Sequence, residues 1–474
     1  MIHKVSPELL ILLLVPLLTV IITRLRLFSD RSRHVFGILS CLATICFFSA
    51  LLQSLEFEGT IQIIPFLFQL SHLSVHSGIL FSFVYLLVYI AFGKRIFVTQ
   101  SASSWVLIQL LVSLALISDS TLVFMLILVT ALLTHLSVSQ VDVYQVSKRQ
   151  DRFILVTFFT VAAIIISALF FGALYFSLGI DCFSVLYQSV GLMSRPLKIL
   201  SSVFMMIFLG AFPLHFWVKP LFAAPARYGL AVITRLNIGF VVWCKLYPLI
   251  FSGDVLLDSL LTYGCGANLL YAAFLLFGER KLSQIVSCLY LFHVPLLILA
   301  VKVSGTEGAS GFALDFANIT IAIGGLLIIL GMLRDRLGAE NLDYASGLAI
   351  SYPFLGIAFL ICILSLVGFP GTLGFICSEI VLHHFAESTW PVAVAFIITL
   401  ALNGYSSFRI FGESFYGDPA QSYRKTFQPL RREKIALVML LVFLFFSGIG
   451  PQFVNSASIP ASVSVSGIST HSSP

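Results

Sequence analysis

Long apolar runs constrain this chain more than any other feature of its sequence. About fourteen segments of roughly 16–25 residues carry almost no charge, and a helix needs about 20 apolar residues to cross a bilayer. Hydrophobic residues make up 59% of the chain and charged residues 10%, whereas soluble proteins have roughly 45–50% and about 25%. We therefore predict an all-α polytopic membrane protein. The composition excludes a soluble enzyme, a secreted disulfide module or a nucleic-acid-binding protein as the whole chain.

The predicted spans follow one another with short connections. They lie at 7–23, 35–54, 73–92, 102–118, 120–138, 153–177, 197–213, 229–250, 258–278, 282–302, 310–333, 346–368, 391–412 and 435–450, and a half-helix follows at 374–387. This pattern divides the chain into five regions. They are a three-helix segment at 1–101, a five-helix unit at 102–250, a second five-helix unit at 251–412, a loop with the last helix at 413–450, and a disordered tail at 451–474.

Lysine and arginine are segregated between the two sets of alternate loops. One set holds 20 of the 27 basic residues, the other set holds four, and three lie inside predicted spans. Basic residues concentrate in cytoplasmic loops of membrane proteins. The distribution therefore predicts fourteen spans in a bacterial inner membrane, with both termini on the non-cytoplasmic side.

Two apolar spans are interrupted by proline and glycine in a similar way. The broken-helix positions are Pro213 and His215 in the first interruption, and Pro370, Gly371 and Gly374 in the second. The interruptions end spans seven and twelve, which are five places apart in the order of spans, and an odd offset predicts that the units at 102–250 and 251–412 are inverted repeats. Proline and glycine free backbone carbonyls, which persist inside a membrane only where protein or water satisfies them. The interruptions indicate either an internal hydrated path or simple kinks in packed helices.

Four motifs resemble the antiporter-like subunits of respiratory complex I, of membrane hydrogenases and of multi-subunit cation/proton antiporters. Phe-Pro-Leu-His-x-Trp at 212–217 is similar to that family's seventh-helix break. Pro-Gly-Thr-x-x-Phe at 370–375 is similar to the twelfth-helix break, closest to the M-type subunit. Tyr-Ser-Ser-Phe-Arg-Ile-Phe at 405–411 resembles the thirteenth-helix signature, and Glu-Arg-Lys at 279–281 resembles the start of the tenth helix.

The resemblance implies that the chain moves protons or Na⁺ through a central row of ionisable side chains inside the membrane. This sequence departs from the family at two of those positions. Thr130 matches the family's span-five Glu and Phe208 matches its span-seven Lys, and neither side chain can relay a proton. Arg235 lies near the family's span-eight Lys or His, and Glu379 lies within about one position of its span-twelve Lys or Glu.

Five ionisable residues are the candidates for an ion path: Glu379, Arg235, Asp315, His135 and His293. A carboxylate inside a membrane is costly and usually functional, although Glu379 could face water and Asp315 could lie at the membrane interface. Arg235 could shape the field of the path or bond to broken-helix carbonyls. Each histidine could relay protons or be a satisfied core residue. His215 is expected to position the first break.

No phosphate-binding, metal-binding or nucleophile motif occurs in the sequence, and none of the eight cysteines forms a Cys-x-x-Cys pair. The sequence therefore implies no cofactor and no metal. The expected partners are the bilayer and other membrane or cytoplasmic subunits, not nucleic acid. We predict a proton- or Na⁺-translocating subunit of an energy-coupled complex, not catalytic alone, which could belong to a translocase or an NADH:quinone oxidoreductase-like assembly.

Three alternatives to that prediction remain open at the level of the sequence. The first is the membrane subunit of an inorganic-carbon (bicarbonate or CO₂) uptake pump with a cytoplasmic zinc partner, which the absence of redox machinery favours. The second is a degenerate, non-conducting scaffold, which Thr130 and Phe208 favour. The third is a secondary carrier that works alone.

Overall fold

A computed structural model describes most of the chain as a bundle of helices. The described residues are 7–25, 28–55, 60–64, 68–93, 102–146, 150–179, 181–188, 193–222, 229–250, 254–300, 302, 305–337, 346–417 and 429–449. The helical, multi-pass membrane architecture predicted from the apolar runs is confirmed. The predicted tail at 451–474 lies outside the described residues.

Eighteen helices occur within the described residues, and we number them in chain order. They are α1 (Pro7–Leu25), α2 (Asp30–Leu55), α3 (His72–Phe92), α4 (Ala102–Ile117), α5 (Thr121–Val146), α6 (Gln150–Leu178), α7 (Phe183–Gln188), α8 (Arg195–Leu209), α9 (Val218–Phe222), α10 (Gly229–Ile250), α11 (Val255–Gly278), α12 (Leu282–Ala300), α13 (Gly305–Leu337), α14 (Leu348–Ser351), α15 (Pro353–Val367), α16 (Leu373–Ser388), α17 (Trp390–Phe415) and α18 (Arg431–Ile449).

Six described helices contain stretches long and apolar enough to cross a membrane. These stretches are Asp30–Leu52, Ser74–Phe92, Ile154–Leu178, Val255–Gly278, Leu314–Leu337 and Trp390–Phe415. One shorter apolar helix precedes them, at Leu14–Leu25, and others lie between them, at Ser103–Ile117, Thr121–Ser137, Gln284–Ala300 and Pro353–Val367.

Helix α13 lies at the centre of the bundle. Its apolar stretch Leu314–Leu337 contains an 18-residue window that is entirely buried. Neighbours α3, α10, α12, α15, α16 and α18 surround it. Gly325 permits the close approach, because a Cβ there would lie 2.9 Å from Cys362 Sγ on α15 and from a methyl carbon of Leu440 on α18.

The predicted boundary between spans four and five is present as a single turn between α4 and α5. Asp119 in this turn accepts hydrogen bonds from the backbone N–H of Ser184 at 3.0 Å and from its hydroxyl at 2.8 Å. A carboxylate that is hydrogen-bonded in this way can terminate two apolar helices without being left unsatisfied. The half-helix predicted at 374–387 is α16, Leu373–Ser388.

A short hairpin departs from the prediction of a purely helical chain. Strand β1 (Thr60–Ile64) pairs antiparallel with β2 (Phe68–Ser71), with Thr60 opposite Ser71. The run Thr-Ile-Gln-Ile-Ile of β1 is rich in β-branched residues, which favour extended backbone. It is too short to appear among the apolar spans.

Two groups of ion pairs lie at opposite ends of α11. Near its first residue, Arg195 pairs with Asp254 at 3.0 Å, and Lys302 pairs with Asp258 at 3.1 Å. Just beyond its last residue, Lys219 pairs with Glu279 at 3.1 Å. Arg195 and Lys302 belong to the set of alternate loops that holds four basic residues. Lys219 belongs to the set that holds 20. These members of the two sets therefore lie at different ends of the same helix.

Candidate functional site

The first helix interruption lies where the proline and glycine pattern predicted it. Helix α8 ends at Leu209, and Gly210 follows in the left-handed conformation with φ of 70°. A Cβ at Gly210 would lie 2.5 Å from a methyl carbon of Val218, so the turn requires glycine sterically as well as conformationally. The chain passes through Pro213 in an irregular loop and resumes as α9 at Val218.

The second interruption has the same design. Helix α15 ends at Val367, Gly368 follows with φ of 79°, and the N–H of Phe369 donates to the Leu364 carbonyl at 2.9 Å. This is the hydrogen-bond pattern of a glycine-capped helix end. Helix α16 begins at Leu373, so the backbone is not helical for several residues around Pro370.

Gly374, at the start of α16, is packed directly against the broken end of α15. A Cβ there would overlap the Ser365 carbonyl oxygen and would lie 2.7 Å from Asn318 Nδ2. Asn318 and Ser365 are themselves bonded, because the Ser365 hydroxyl donates to Asn318 Oδ1 at 2.6 Å. Asn318 Nδ2 also lies 3.3 Å from the Ser365 carbonyl oxygen. The side chain of a central helix thus satisfies a carbonyl next to the break.

Helix α12 supplies polar side chains to both interruptions. Tyr290 donates its hydroxyl to the Leu209 carbonyl at 2.6 Å, at the end of α8. His293, one turn further along, lies with Nε2 2.8 Å from the Leu366 carbonyl oxygen, near the end of α15. Both side chains are almost fully buried. These bonds satisfy backbone oxygens that a broken helix would otherwise leave without a partner inside the membrane.

The second contact of His293 forms a buried acid–base pair. Its Nδ1 lies 2.9 Å from Asp315 Oδ1, and both side chains are 1% exposed. A carbonyl oxygen can only accept, so Nε2 carries a proton, and one further proton lies in the bond between Nδ1 and Oδ1. That proton belongs either to an imidazolium facing a carboxylate or to a carboxylic acid facing a neutral imidazole. Both forms keep the hydrogen bond between the two side chains.

Arg235 lies beside the first interruption and is held by aromatic rings. Its guanidinium carbon lies 4.9 Å from the ring centre of Trp217 and 5.3 Å from that of Phe208. Its side chain is 2% exposed, and neither terminal nitrogen has a hydrogen-bond partner among the described residues. The Tyr290 hydroxyl is its electrostatic neighbour. A cation from α10 therefore lies over the Phe208 ring, which lies at the end of the first half of the interrupted span.

These contacts arrange four of the described ionisable and hydroxyl side chains in a spatial row. Arg235 neighbours Tyr290, Tyr290 is one turn from His293, and His293 bonds to Asp315. The row extends from the first break to the second. Three of the five candidate residues, Arg235, His293 and Asp315, therefore lie in one row.

The structure places the other predicted residues elsewhere. His135 is fully buried on α5, which packs against α4, α6 and α10. His215 lies in the first break, where its Nε2 is 2.6 Å from the Tyr271 hydroxyl oxygen and its ring stacks on Phe216. Thr130 is exposed on the outer surface of α5, so that position does not line the interior.

Glu379 is also exposed, on α16, and the described contacts do not bring it to His293 or Asp315. Its neighbour Cys377 is buried and interacts electrostatically with Asp315. Successive helical residues are about 100° apart, so Glu379 lies about 200° around α16 from Cys377. Within the described ranges, no group of three or more metal-ligating side chains comes together.

Sequence reasoning missed Tyr290 and the Asn318–Ser365 bond as parts of this site. Tyr290 has a signal that could have been used, since it lies on the same helical face as His293 at a spacing of three residues. The partners of Tyr290 and Asn318 are backbone carbonyls of distant helices, which no sequence pattern identifies.

Comparison with known proteins identifies relatives over most of the chain. Residues 86–403 match a family model described as NADH:quinone oxidoreductase/Mrp antiporter, transmembrane. NADH-quinone oxidoreductase subunit 13 of Thermus thermophilus is 30% identical over 199 residues, 41% of this chain and 42% of that protein. A D-type Na(+)/H(+) antiporter subunit of Bacillus subtilis is 24% identical over 253 residues, 52% of this chain and 51% of that protein. The chain thus matches about half the length of these curated relatives.

The fold matches solved structures over nearly its whole length. A chain of respiratory complex I from Thermus thermophilus with bound NADH superimposes with a TM-score of 0.80 at 21% identity. The superposition covers 95% of this chain and 98% of that chain. At this identity the likeness establishes the fold.

Proposed function

Because this chain belongs to the NADH:quinone oxidoreductase/Mrp antiporter transmembrane family, we propose that it is a proton- or Na⁺-translocating, antiporter-like subunit of a multi-subunit membrane complex. The observation that carries the proposal is the buried His293–Asp315 pair at the second helix break. An acid–base pair with no exposure to water is expensive inside a membrane, and such groups mark ion and proton paths.

The proposed path runs through the row that joins the two breaks. The His293–Asp315 pair accepts and releases a proton through the bond between Nδ1 and Oδ1. Arg235 cannot relay protons at ordinary pH, because its guanidinium stays charged. It acts instead as a fixed cation at the first break. Its electric field disfavours a positive charge on His293. For Na⁺, the Asp315 carboxylate is the ligand of the expected kind.

The proposed architecture is fourteen spans with inverted five-helix repeats at 102–250 and 251–412. Its support is the matching order of neighbours in the two units. In the first, α4, α5, α6, α8 and α10 pack consecutively and α10 returns to α4. In the second unit the consecutive packing runs through α11, α12, α13, the broken α15–α16 and α17, and α17 packs against α11. In each unit the break lies in the fourth span.

The proposed membrane is a bacterial inner membrane, with both termini on the non-cytoplasmic side. The charge distribution supports this orientation. The partners are other subunits of the complex, since the named relatives are themselves subunits.

A non-conducting scaffold is the second candidate, and two positions favour it. Phe208 is fully buried where the family's Lys would lie, and Thr130 is turned outward. The first unit therefore lacks the two relay groups that the resemblance implies. On this hypothesis the second unit retains its polar pair only as a structural support.

One experiment separates the two candidates. We would reconstitute the complex with Asp315→Asn and measure ion flux and assembly, with Asp335→Asn as the control at the exposed end of the same helix. The translocation proposal expects loss of flux with intact assembly for Asp315→Asn only. Unchanged flux in an intact complex carrying Asp315→Asn would establish the scaffold.

A further inference from the structure

The outer face of α16 carries a stripe of ionisable side chains. Glu379, His383 and Glu387 recur every four residues, which places them on one side of the helix. All three are exposed, with the side chains of His383 and Glu387 at 76% and 77%. We call this stripe the α16 outer face.

Glu379 lies at a depth where lipid cannot solvate it. Helix α16 begins at Leu373, beside the break that bonds to His293, and His293 is near the middle of α12. Glu379 follows Leu373 by six residues, about 9 Å at about 1.5 Å per residue. The hydrocarbon core extends about 15 Å on each side of the bilayer centre. Measured along α16, Glu379 is therefore closer to the break than the half-thickness of the hydrocarbon core, and it is exposed on the surface of its own bundle.

The helices that flank the α16 outer face are apolar, and the described contact of its one basic member, His383, is with Glu387 and not with Glu379. The flanking helices α17 and α18 expose large apolar residues such as Ile398 and Phe446. No cation among the described residues pairs with Glu379. An unpaired carboxylate facing lipid costs several kcal/mol, so a covered surface is the stable arrangement.

We propose that the α16 outer face is the docking surface for a transmembrane helix of a different subunit, which carries a Lys or Arg at mid-membrane depth opposite Glu379. Charge complementarity selects this occupant, because a buried carboxylate in an apolar interface requires a cation. A second copy of this chain that docked through the same face would supply no Lys or Arg, because α16 contains neither residue. The inference rests on the proposed function only in that the chain is a subunit of a complex.

The exposed position of Glu379 also gives this carboxylate a role different from the ion-path role predicted from the sequence. Ser378, one residue before Glu379, is buried and donates its hydroxyl to the Gly374 carbonyl at 2.8 Å. The buried positions of this turn are thus occupied by Cys377 and Ser378, and the acid is rotated by about 100° from Ser378 toward the exterior. Glu379 then serves the contact between subunits instead of the internal row.

Photo-crosslinking in the native membrane tests the proposal. A photoreactive amino acid would replace His383 in the full chain, one turn from Glu379 on the α16 outer face, so that the carboxylate stays in place; Leu126 on the exposed surface of α5 would be the control site. We expect position 383 to crosslink to an apolar segment of another polypeptide that contains Lys or Arg, and the control to miss that segment. Crosslinks only to lipid, to a second copy of this chain, or to a segment without a basic residue would overturn the proposal.

A charge swap gives an independent readout. Glu379→Lys is expected to release the chain from the complex in native gels while the chain itself stays inserted and monodisperse. Changing the partner's basic residue to Glu should restore assembly. Retention of Glu379→Lys in the complex would refute the ion pair. We expect Asp315→Asn to leave the crosslink in place, because Asp315 is buried inside the bundle, so failure of the translocation proposal and failure of this one are distinguishable.

Discussion

Tyr290 and His293 lie one turn apart on α12, and each bonds to a carbonyl near the end of a different broken helix. Tyr290 reaches Leu209 at 2.6 Å and His293 reaches Leu366 at 2.8 Å. One rigid helix therefore ties the two interruptions together. A displacement of one broken helix end would therefore displace the other through α12.

Tyr290→Phe tests that connection. The substitution keeps the ring and leaves the buried Leu209 carbonyl without its donor, which costs about 1–3 kcal/mol. We expect a lower thermal midpoint of the purified complex and a reduced flux. Tyr263→Phe is the control, because Tyr263 is exposed on α11. Equal behaviour of the two variants would show that the bond to Leu209 has no role.

His293→Gln tests the shared proton. Glutamine can donate to the Leu366 carbonyl and accept from Asp315, but it cannot hold a second proton. We expect flux to fall by at least about tenfold, equivalent to roughly 1.4 kcal/mol in the barrier, with assembly retained. Asp335→Asn, an exposed ionisable site at the end of α13, is the control for flux. Full flux in the His293 variant would rule out proton transfer through this pair.

Arg235→Gln tests the fixed cation at the first break. Removing the charge should reduce flux by about tenfold. Adding Phe208→Lys in the same chain returns a cation to the same place, because the guanidinium now lies over the Phe208 ring. We expect the double variant to recover part of the flux, measured in vesicles. No effect of Arg235→Gln would show that the charge is only structural.

Gly374→Ala tests the packing of the second break. The added methyl group overlaps the Ser365 carbonyl oxygen, and overpacking against backbone costs at least about 1–3 kcal/mol. We expect a lower thermal midpoint and poor assembly. Gly172→Ala is the matched control, since a Cβ there meets nothing within 4 Å. A wild-type midpoint for Gly374→Ala would mean that α15 and α16 are not held in this contact.

Several features could be predicted from the sequence because their causes are local. The apolar runs identified the helices, and the acidic turn at Asp119 separated α4 from α5. Pro213 and Pro370 marked both breaks, because proline cannot continue a helix and the nearby glycines allow left-handed turns. His293 and Asp315 were each identified as ionisable groups inside spans.

Their pairing could not be predicted. His293 and Asp315 are on different helices, and their contact depends on the rotation and relative height of α12 and α13. The same is true of Arg235 over Phe208, and of the Ser365 contact that excludes any side chain at Gly374. An error of one residue in alignment turns a side chain by about 100°, which is enough to exchange the interior for the exterior.

The sequence by itself determined that this chain spans a membrane with two interrupted helices and a few ionisable groups among many apolar ones. Hydrophobicity and backbone restriction act over a few residues, so they can be read along the chain. The tertiary structure decided which of those groups meet. It joined His293 to Asp315 and turned Glu379 outward, because helix rotation and packing are set by contacts between segments far apart in sequence.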